Sequence, residues 1–176
     1  MRKVEISPHK EEWFMMFQEE SDKIKDVLGD VILNVYHIGS TAIPNINAKP
    51  IIDIMVEVAN ISKVDKFNDK MEQLGYDAHG EYGISNRRFF SKGNNRTHHV
   101  HIFEQGNDEI ARHITFRDYL IAHPKEAQKY SQLKQSLAEK FPTNIEKYIE
   151  GKNDYIKSID NKAEKWRKTN FLNSLR

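Results

Sequence analysis

The sequence predicts an α+β fold: an N-terminal helix, a sheet, and a helical block segregated to the C-terminal end. Three observations carry that prediction. Apolar residues recur at helical spacing over residues 8–28, and again in three stretches from residue 107 onward. Between these lie two short runs rich in β-branched residues, 31–38 and 50–58. A third stretch, 86–104, has the look of a hairpin. Strands grouped together and helices grouped together are the pattern of the α+β class.

Each element has its own signals. Ser7 and Pro8 are placed as an N-cap and first residue for a helix over 8–28, whose Trp13, Phe14, Phe17, Ile24, Val27 and Leu28 share a face and which Gly29 can close. The run 31–38 enters a small-residue turn, Gly39-Ser40-Thr41-Ala42-Ile43-Pro44. The strand over 50–58 is apolar except for Asp53 and Glu57, as in a strand covered on both faces. A helix is expected over 63–74, with Ser62 as its N-cap and Gly75 after it. The hairpin turns at Gly93-Asn94-Asn95. The later helices fall over 108–122, 124–140 and 144–168, punctuated by Pro124 and Pro142, with Gly151 marking a break in the last.

A chain of 176 residues suggests one domain, 1–176, with a sheet core over 1–106 and a helical part over 107–176. With no cysteine, disulfides, thiolate metal sites and thiol nucleophiles are excluded. No apolar run reaches 18 residues, which excludes a spanning helix. The charged opening residues lack a signal core, so a cytoplasmic protein without membrane attachment is expected. The net charge of +1 is too small for a dedicated nucleic-acid binder. Its distribution is uneven: 14 Lys/Arg against 18 Asp/Glu over 1–116, and 13 against 8 over 117–176. That asymmetry either frames a cleft for an anionic substrate or reflects a solvated, Lys-rich helical surface.

Gly39-Ser40-Thr41 after a strand lets backbone N–H groups approach an anion closely, with two hydroxyls as further donors; an ordinary turn uses the same residues. Thirteen residues beyond Ser40, Asp53 interrupts an apolar strand. A carboxylate there is costly unless it is paired, bound to a metal or open to a cleft; backbone donors or Lys49 are the plainer partners. A strand, Gly-Ser, a gap and an Asp on a second strand is the arrangement of polymerase-β-like nucleotidyltransferases. The words His37-Ile38-Gly39-Ser40-Thr41-Ala42-Ile43-Pro44 and Ala48-Lys49-Pro50-Ile51-Ile52-Asp53-Ile54 resemble the GrpB family more specifically. Gly80-Glu81-Tyr82-Gly83, Arg87-Arg88-Phe89-Phe90, His98-His99-Val100-His101 and Phe116-Arg117-Asp118-Tyr119-Leu120 extend the resemblance. Tyr130 with Leu133-Lys134, and Tyr148 with Gly151-Lys152, carry it almost to the end. The resemblance implies a nucleotidyltransferase-like mixed sheet, and the family also resembles a domain fused to some dephospho-CoA kinases.

Such transferases place two carboxylates two residues apart to hold metals, but here the second position is Met55, a poor ligand for Mg²⁺. Glu57 shares the face of Asp53 yet lies about 13 Å along the strand, too far to share one ion. Six of the eight histidines fall between His79 and His123. Period 2 puts His99 and His101 on one face of their strand and His98 with Ile102 on the other. The resemblance implies that this strand runs close to the Asp53 strand, so that His99 and His101 join Asp53 in a two-His-one-carboxylate set suited to Zn²⁺, Mn²⁺ or Fe²⁺ more than Mg²⁺. These imidazoles could instead contact phosphate or simply pack. The expected site is therefore Asp53, His99 and His101 for a divalent ion and Glu81 as a general base or fourth ligand. Gly39, Ser40, Thr41, Lys49, Arg88, Arg117 and Lys152 are the expected contacts for a nucleotide or other phosphorylated small molecule. Arg117 with Asp118 reads equally as a structural ion pair, and the remaining helical lysines read as solvated. The corresponding functions are metal-dependent nucleotidyl transfer, phosphoester hydrolysis at the same site, or a non-catalytic binding module.

Overall fold

A computed structural model describes residues 3–175. The fold is α+β, and the chain divides into two compact units: a sheet unit of residues 10–42 and 51–111, and a helical unit of residues 3–9, 43–50 and 112–175. The division differs from the expected boundary near residue 106. The reason is apolar: Ile43 and Ile46, in what reads as a loop, are fully buried among the helices. No helix among the described residues is long and apolar enough to cross a membrane.

In the sheet unit, α1 (Glu12–Leu28) is followed by β1 (Ile32–Ile38) and β2 (Ile52–Val58). After these come α2 (Asn68–Gln73), β3 (Tyr76–Ala78), β4 (Arg87–Lys92) and β5 (His98–Glu104). The strand order is β1-β2-β5-β4-β3, mixed, with β2 and β5 the one parallel pair. Short β3 at the edge has no sequence run long enough to announce it. Ser7 is not an N-cap: its N–H and C=O both pair with Ala48 at 2.9 Å, so α1 begins only at Glu12. Gly29 does close α1, at φ +55 with its N–H on the Lys25 carbonyl. The expected helix over 63–74 is a 3₁₀ stretch, Ile61–Phe67, leading into short α2, and its cap is Asn60, which accepts from the Ser62 N–H.

One sheet face is covered by α1, which buries Trp13, Ile24 and Leu28. It also carries Glu20, only 3% exposed, onto that face. Glu20 Oε1 accepts from Tyr76 Oη and Lys92 Nζ, both at 2.8 Å, and His98 Nε2 stands 4.0 Å from Oε2. Burial opposes ionisation of Glu20, but Lys92, Tyr76 and His98 together hold its pKa below the ordinary value. Burial also lowers the pKa of His98, against the pull of Glu20. Both folded values lie below the unfolded ones, so the unfolded chain binds more protons and acid destabilises the fold. Thermal stability should therefore fall as pH drops below the ordinary His range, about 6.5, and again below about 4.5, where Glu20 would titrate unfolded. His79, lowered by burial and by Arg96, adds to the first limb. His98→Gln should flatten that limb in melting curves between about pH 5 and 7; an unchanged slope would assign it elsewhere.

The helical unit contains most of α3 (Asp108–Ala122), all of α4 (Pro124–Lys140) and α5 (Ile145–Ser174). Ile43 and Ile46 join Tyr119, Leu120, Ala127, Tyr130, Ile159 and Ala163 in its core. A second cluster gathers Val4, Leu137 and Tyr148. The expected break at Gly151 does not occur; α5 runs through it. A Cβ at 151 would collide with the Leu137 side chain, so glycine is there to let α4 and α5 approach. Gly→Ala inside a helix ordinarily gains about 1 kcal/mol, but here overpacking costs about 1–3 kcal/mol. Gly151→Ala should thus lower the unfolding free energy by about 1 kcal/mol in denaturant titration; a rise would show that Leu137 yields freely.

Candidate metal centre

The sheet face opposite α1 holds the site. Asp53 on β2 pairs in register with His99 on β5, and Met55 pairs with His101. Because paired residues point to one side, the parallel β2–β5 pairing brings all of them to a single face. One ligand atom each of Asp53, His99 and His101 lies within 4.8 Å of the others. His101 Nε2 is 3.2 Å from Asp53 Oδ1, and His99 Nδ1 is 3.5 Å from the same oxygen. Burial works against the Asp53 carboxylate, but the hydrogen bonds and charges of His101 and His99 outweigh it, holding its pKa below the usual carboxylate range. Asp53 is therefore ionised at neutral pH, the state a metal ligand requires. His98 points to the other face, as the alternation predicts.

An ionised carboxylate only accepts and a guanidinium only donates. Arg87 Nη1 stands 3.4 Å from His101 Nδ1, so neutral His101 carries its proton on Nε2, toward Asp53. His99 presents its Nδ1 to Asp53, while its Nε2 is buried with no hydrogen-bond partner among the described residues. A buried nitrogen left without a partner, on a ring whose other nitrogen faces a carboxylate, is accounted for by an ion or water in contact with it. The donor set, two imidazoles and a carboxylate, suits Zn²⁺ or Mn²⁺.

Gly39 sits at φ +73, and a Cβ there would lie 2.8 Å from Asp53 Oδ2. Only glycine lets the turn after β1 pass so close to the carboxylate. The turn is a short 3₁₀ piece, Ser40–Ala42. Thr41 is buried with its Oγ1 2.9 Å from His37 Nε2, so its hydroxyl braces the α1 side and Ser40, partly exposed, is the turn's available hydroxyl.

Arg88 and Glu81 are engaged elsewhere in the sheet unit. Arg88 pairs with Ile102 on the α1 face and its guanidinium grips Asp65, with Nε at 2.7 Å. Arg87 takes the site position instead, its Nε and Nη2 donating to the carbonyls of Glu81 and Tyr82 at 3.1 and 2.7 Å. Which of two adjacent arginines faces the site depends on hairpin register, since a slip of one residue exchanges the faces. The Glu81 side chain accepts from the Asn86 N–H at 2.6 Å and secures the loop rather than joining the ligands. Lys49, Arg117 and Lys152 belong to the helical unit; Arg117 pairs with its neighbour Asp118 at 2.9 Å. Sequence reasoning missed the aromatic flank. Phe89 lies 5.2 Å from the rings of both His99 and His101, and Tyr82, 53% exposed and at φ +49, stacks on Phe89 at 5.1 Å. The alternation Arg87, Phe89, Ser91 was the available signal, once Phe89 is known to pair with His101.

Comparison with known proteins gives a consistent relationship. The model of the GrpB protein family matches residues 3–162. Over 168 residues the chain is 50% identical to UPF0157 protein YqkA of Bacillus subtilis, covering 95% of this chain and 49% of YqkA; it spans about half the length of that relative. It is 35% identical to Glutamate-rich protein GrpB of Alkalihalophilus pseudofirmus, over 90% of this chain and 94% of that protein. The crystal structure of conserved protein GrpB from Enterococcus faecalis matches with a TM-score of 0.91 at 43% identity, covering 93% of this chain and 99% of that one. A family match across nearly the whole chain, with a relative above 30% identity covered almost end to end, shows that this chain belongs to the GrpB family.

Proposed function

We propose that Asp53, His99 and His101 hold a divalent ion, Zn²⁺ or Mn²⁺, at which a nucleotide or another phosphorylated small molecule is bound and undergoes nucleotidyl transfer. The observation that carries this reading is the convergence of three ligand atoms within 4.8 Å on one sheet face. The orphaned Nε2 of His99 and the ionised state of Asp53 support it. When bound, the ion would supply Lewis-acid stabilisation of a phosphoryl oxygen. The chain's own residues do the rest. Gly39 borders the carboxylate and, with Ser40 next in the turn, would receive the phosphate; Arg87, clamped by two carbonyls beside His101, keeps a fixed positive charge near it. Tyr82, backed by Phe89, offers an aromatic surface on which a base can stack.

A non-catalytic binding module is the second reading, favoured by one observation. Met55, where a second carboxylate is expected, is fully buried and gives no donor for a second ion. Titration of the metal-stripped protein with Zn²⁺, Mn²⁺ and Mg²⁺, followed by nucleotide turnover with the preferred ion, tests both. One equivalent of Zn²⁺ or Mn²⁺ bound ahead of Mg²⁺, with product formed, is the expected result. Binding without turnover would favour the module, and no binding would end the metal reading.

A further inference from the structure

The loop joining β3 to β4 carries Tyr82 onto the sheet face of the metal centre. Its ring stacks on Phe89, with centres 5.1 Å apart and planes within 11°, and Phe89 pairs with His101 on that face. Residues from both ends of β4 hold Tyr82 in place. Arg87, the first residue of β4, donates from Nη2 to the Tyr82 carbonyl at 2.7 Å. Arg96, in the turn after β4, donates from Nη2 to Tyr82 Oη at 3.5 Å. With one ring face on Phe89 and 53% of the residue exposed, the other face of Tyr82 is open to solvent.

Backbone strain falls on the same pair. Among the described residues, four that are not glycine have positive φ: Asn45, Tyr82, Asn86 and Arg96. Asparagine tolerates that region, whereas a bulky side chain there is an outlier. Tyr82 at φ +49 and Arg96 at φ +48 come from separate loops and meet through their side chains. Glycine would make either turn at lower cost, so the turns alone do not call for these residues. Strain held at two contacting residues beside a candidate site is the pattern of a ligand clamp. Arg96 meets a neutral phenol and no carboxylate among the described residues, which leaves most of its N–H groups for a ligand.

Given the nucleotide reading above, on which this inference rests, we propose that Tyr82 and Arg96 select the base. A guanine stacks on the open face of Tyr82 and turns its O6/N7 edge to the Arg96 guanidinium. A guanidinium only donates, so it favours an edge made only of acceptors. Guanine offers O6 and N7 together, which an arginine fork meets with two hydrogen bonds; adenine sets an amino donor beside N7. Arg96 is thus a specificity-determining residue, distinct from the residues proposed to hold the ion.

The test is calorimetric titration of the full chain with GDP, IDP and ADP, each in Mn²⁺ and again in EDTA. GDP and IDP share O6 and N7, and both should bind about tenfold more tightly than ADP, the discrimination of one two-bonded contact. Arg96→Gly should bring the GDP-to-ADP ratio to about one and melt no lower than the parent, because glycine accepts the positive φ. Arg96→Lys keeps the charge without the planar fork and should lose the ratio as well. Equal affinity of the parent for GDP and ADP would overturn the proposal, as would IDP bound as weakly as ADP. Equal weakening of GDP and ADP in Arg96→Gly, or a ratio retained in Arg96→Lys, would place the arginine on a phosphate and overturn it too. GDP preferred over ADP by a protein that takes up no Mn²⁺ would overturn the metal centre alone. Mn²⁺ uptake with GDP and ADP bound equally would overturn the base assignment alone, and Mn²⁺ uptake with no nucleotide bound would overturn it together with the nucleotide reading.

Discussion

Replacing Asp53 by Asn should lower Zn²⁺ or Mn²⁺ affinity by about 100-fold or more while leaving the fold in place. Losing an outer-shell partner already costs about 10–100-fold in metal affinity, and Asp53 is the sole anionic member of the ligand set. Asparagine keeps an oxygen at nearly the same position, so the hydrogen bond from His101 Nε2 survives in weakened form. What disappears is the negative charge toward which both imidazoles point. Competition titration against a metallochromic indicator reads the loss directly, with circular dichroism as the check on folding. Equal affinity in Asp53→Asn would show that the carboxylate serves the histidines and no ion. The position is tightly enclosed from the other side as well: Gly39 approaches Oδ2 so closely that any side chain there would displace the carboxylate.

Glu20→Ala should cost about 3 kcal/mol of folding free energy, the low end of what breaking a buried ion pair costs. Glu20 is almost wholly buried, but Lys92 retains 23% side-chain exposure and can recover some hydration, which favours the low end. The substitution strands the Tyr76 hydroxyl and the Lys92 ammonium, both of which donate to the same Oε1 at 2.8 Å. It also leaves a cavity beneath α1. Urea titration measures the loss. The double variant Glu20→Ala with Lys92→Met should recover part of it, since the unpaired charge is then gone. If the double variant is as unstable as the single, packing at Glu20 is what matters and the ion pair contributes little.

Much of the candidate site was legible in the sequence because its residues break local rules. Asp53 stands out in an apolar strand, and His99 and His101 share a face by simple alternation. The Gly-Ser turn announces close backbone approach, and φ +73 at Gly39 gives that signal its physical content. Arginine assignment was beyond the sequence. Arg87 and Arg88 are chemically equivalent neighbours, and only the pairing of Phe89 with His101 decides that Arg87 faces the site while Arg88 reaches Asp65.

The sequence by itself determined the class of fold, the order of its main helices and strands, and the face of β5 that carries the paired histidines, because each follows from periodicity along a single element. The tertiary structure decided what depends on partners distant in the chain. Ser7 became a β-bridge to Ala48 instead of a helix cap, since its backbone groups found a strand-like neighbour 41 residues on. Gly151 became a packing contact against Leu137 instead of a break. Lys134, which reads as one more solvated lysine on a helix, became a buried cation, because the 43–50 segment folds over α4 and closes it from water. Burial of a charge is a property of what covers it, and nothing in the local sequence states what that will be.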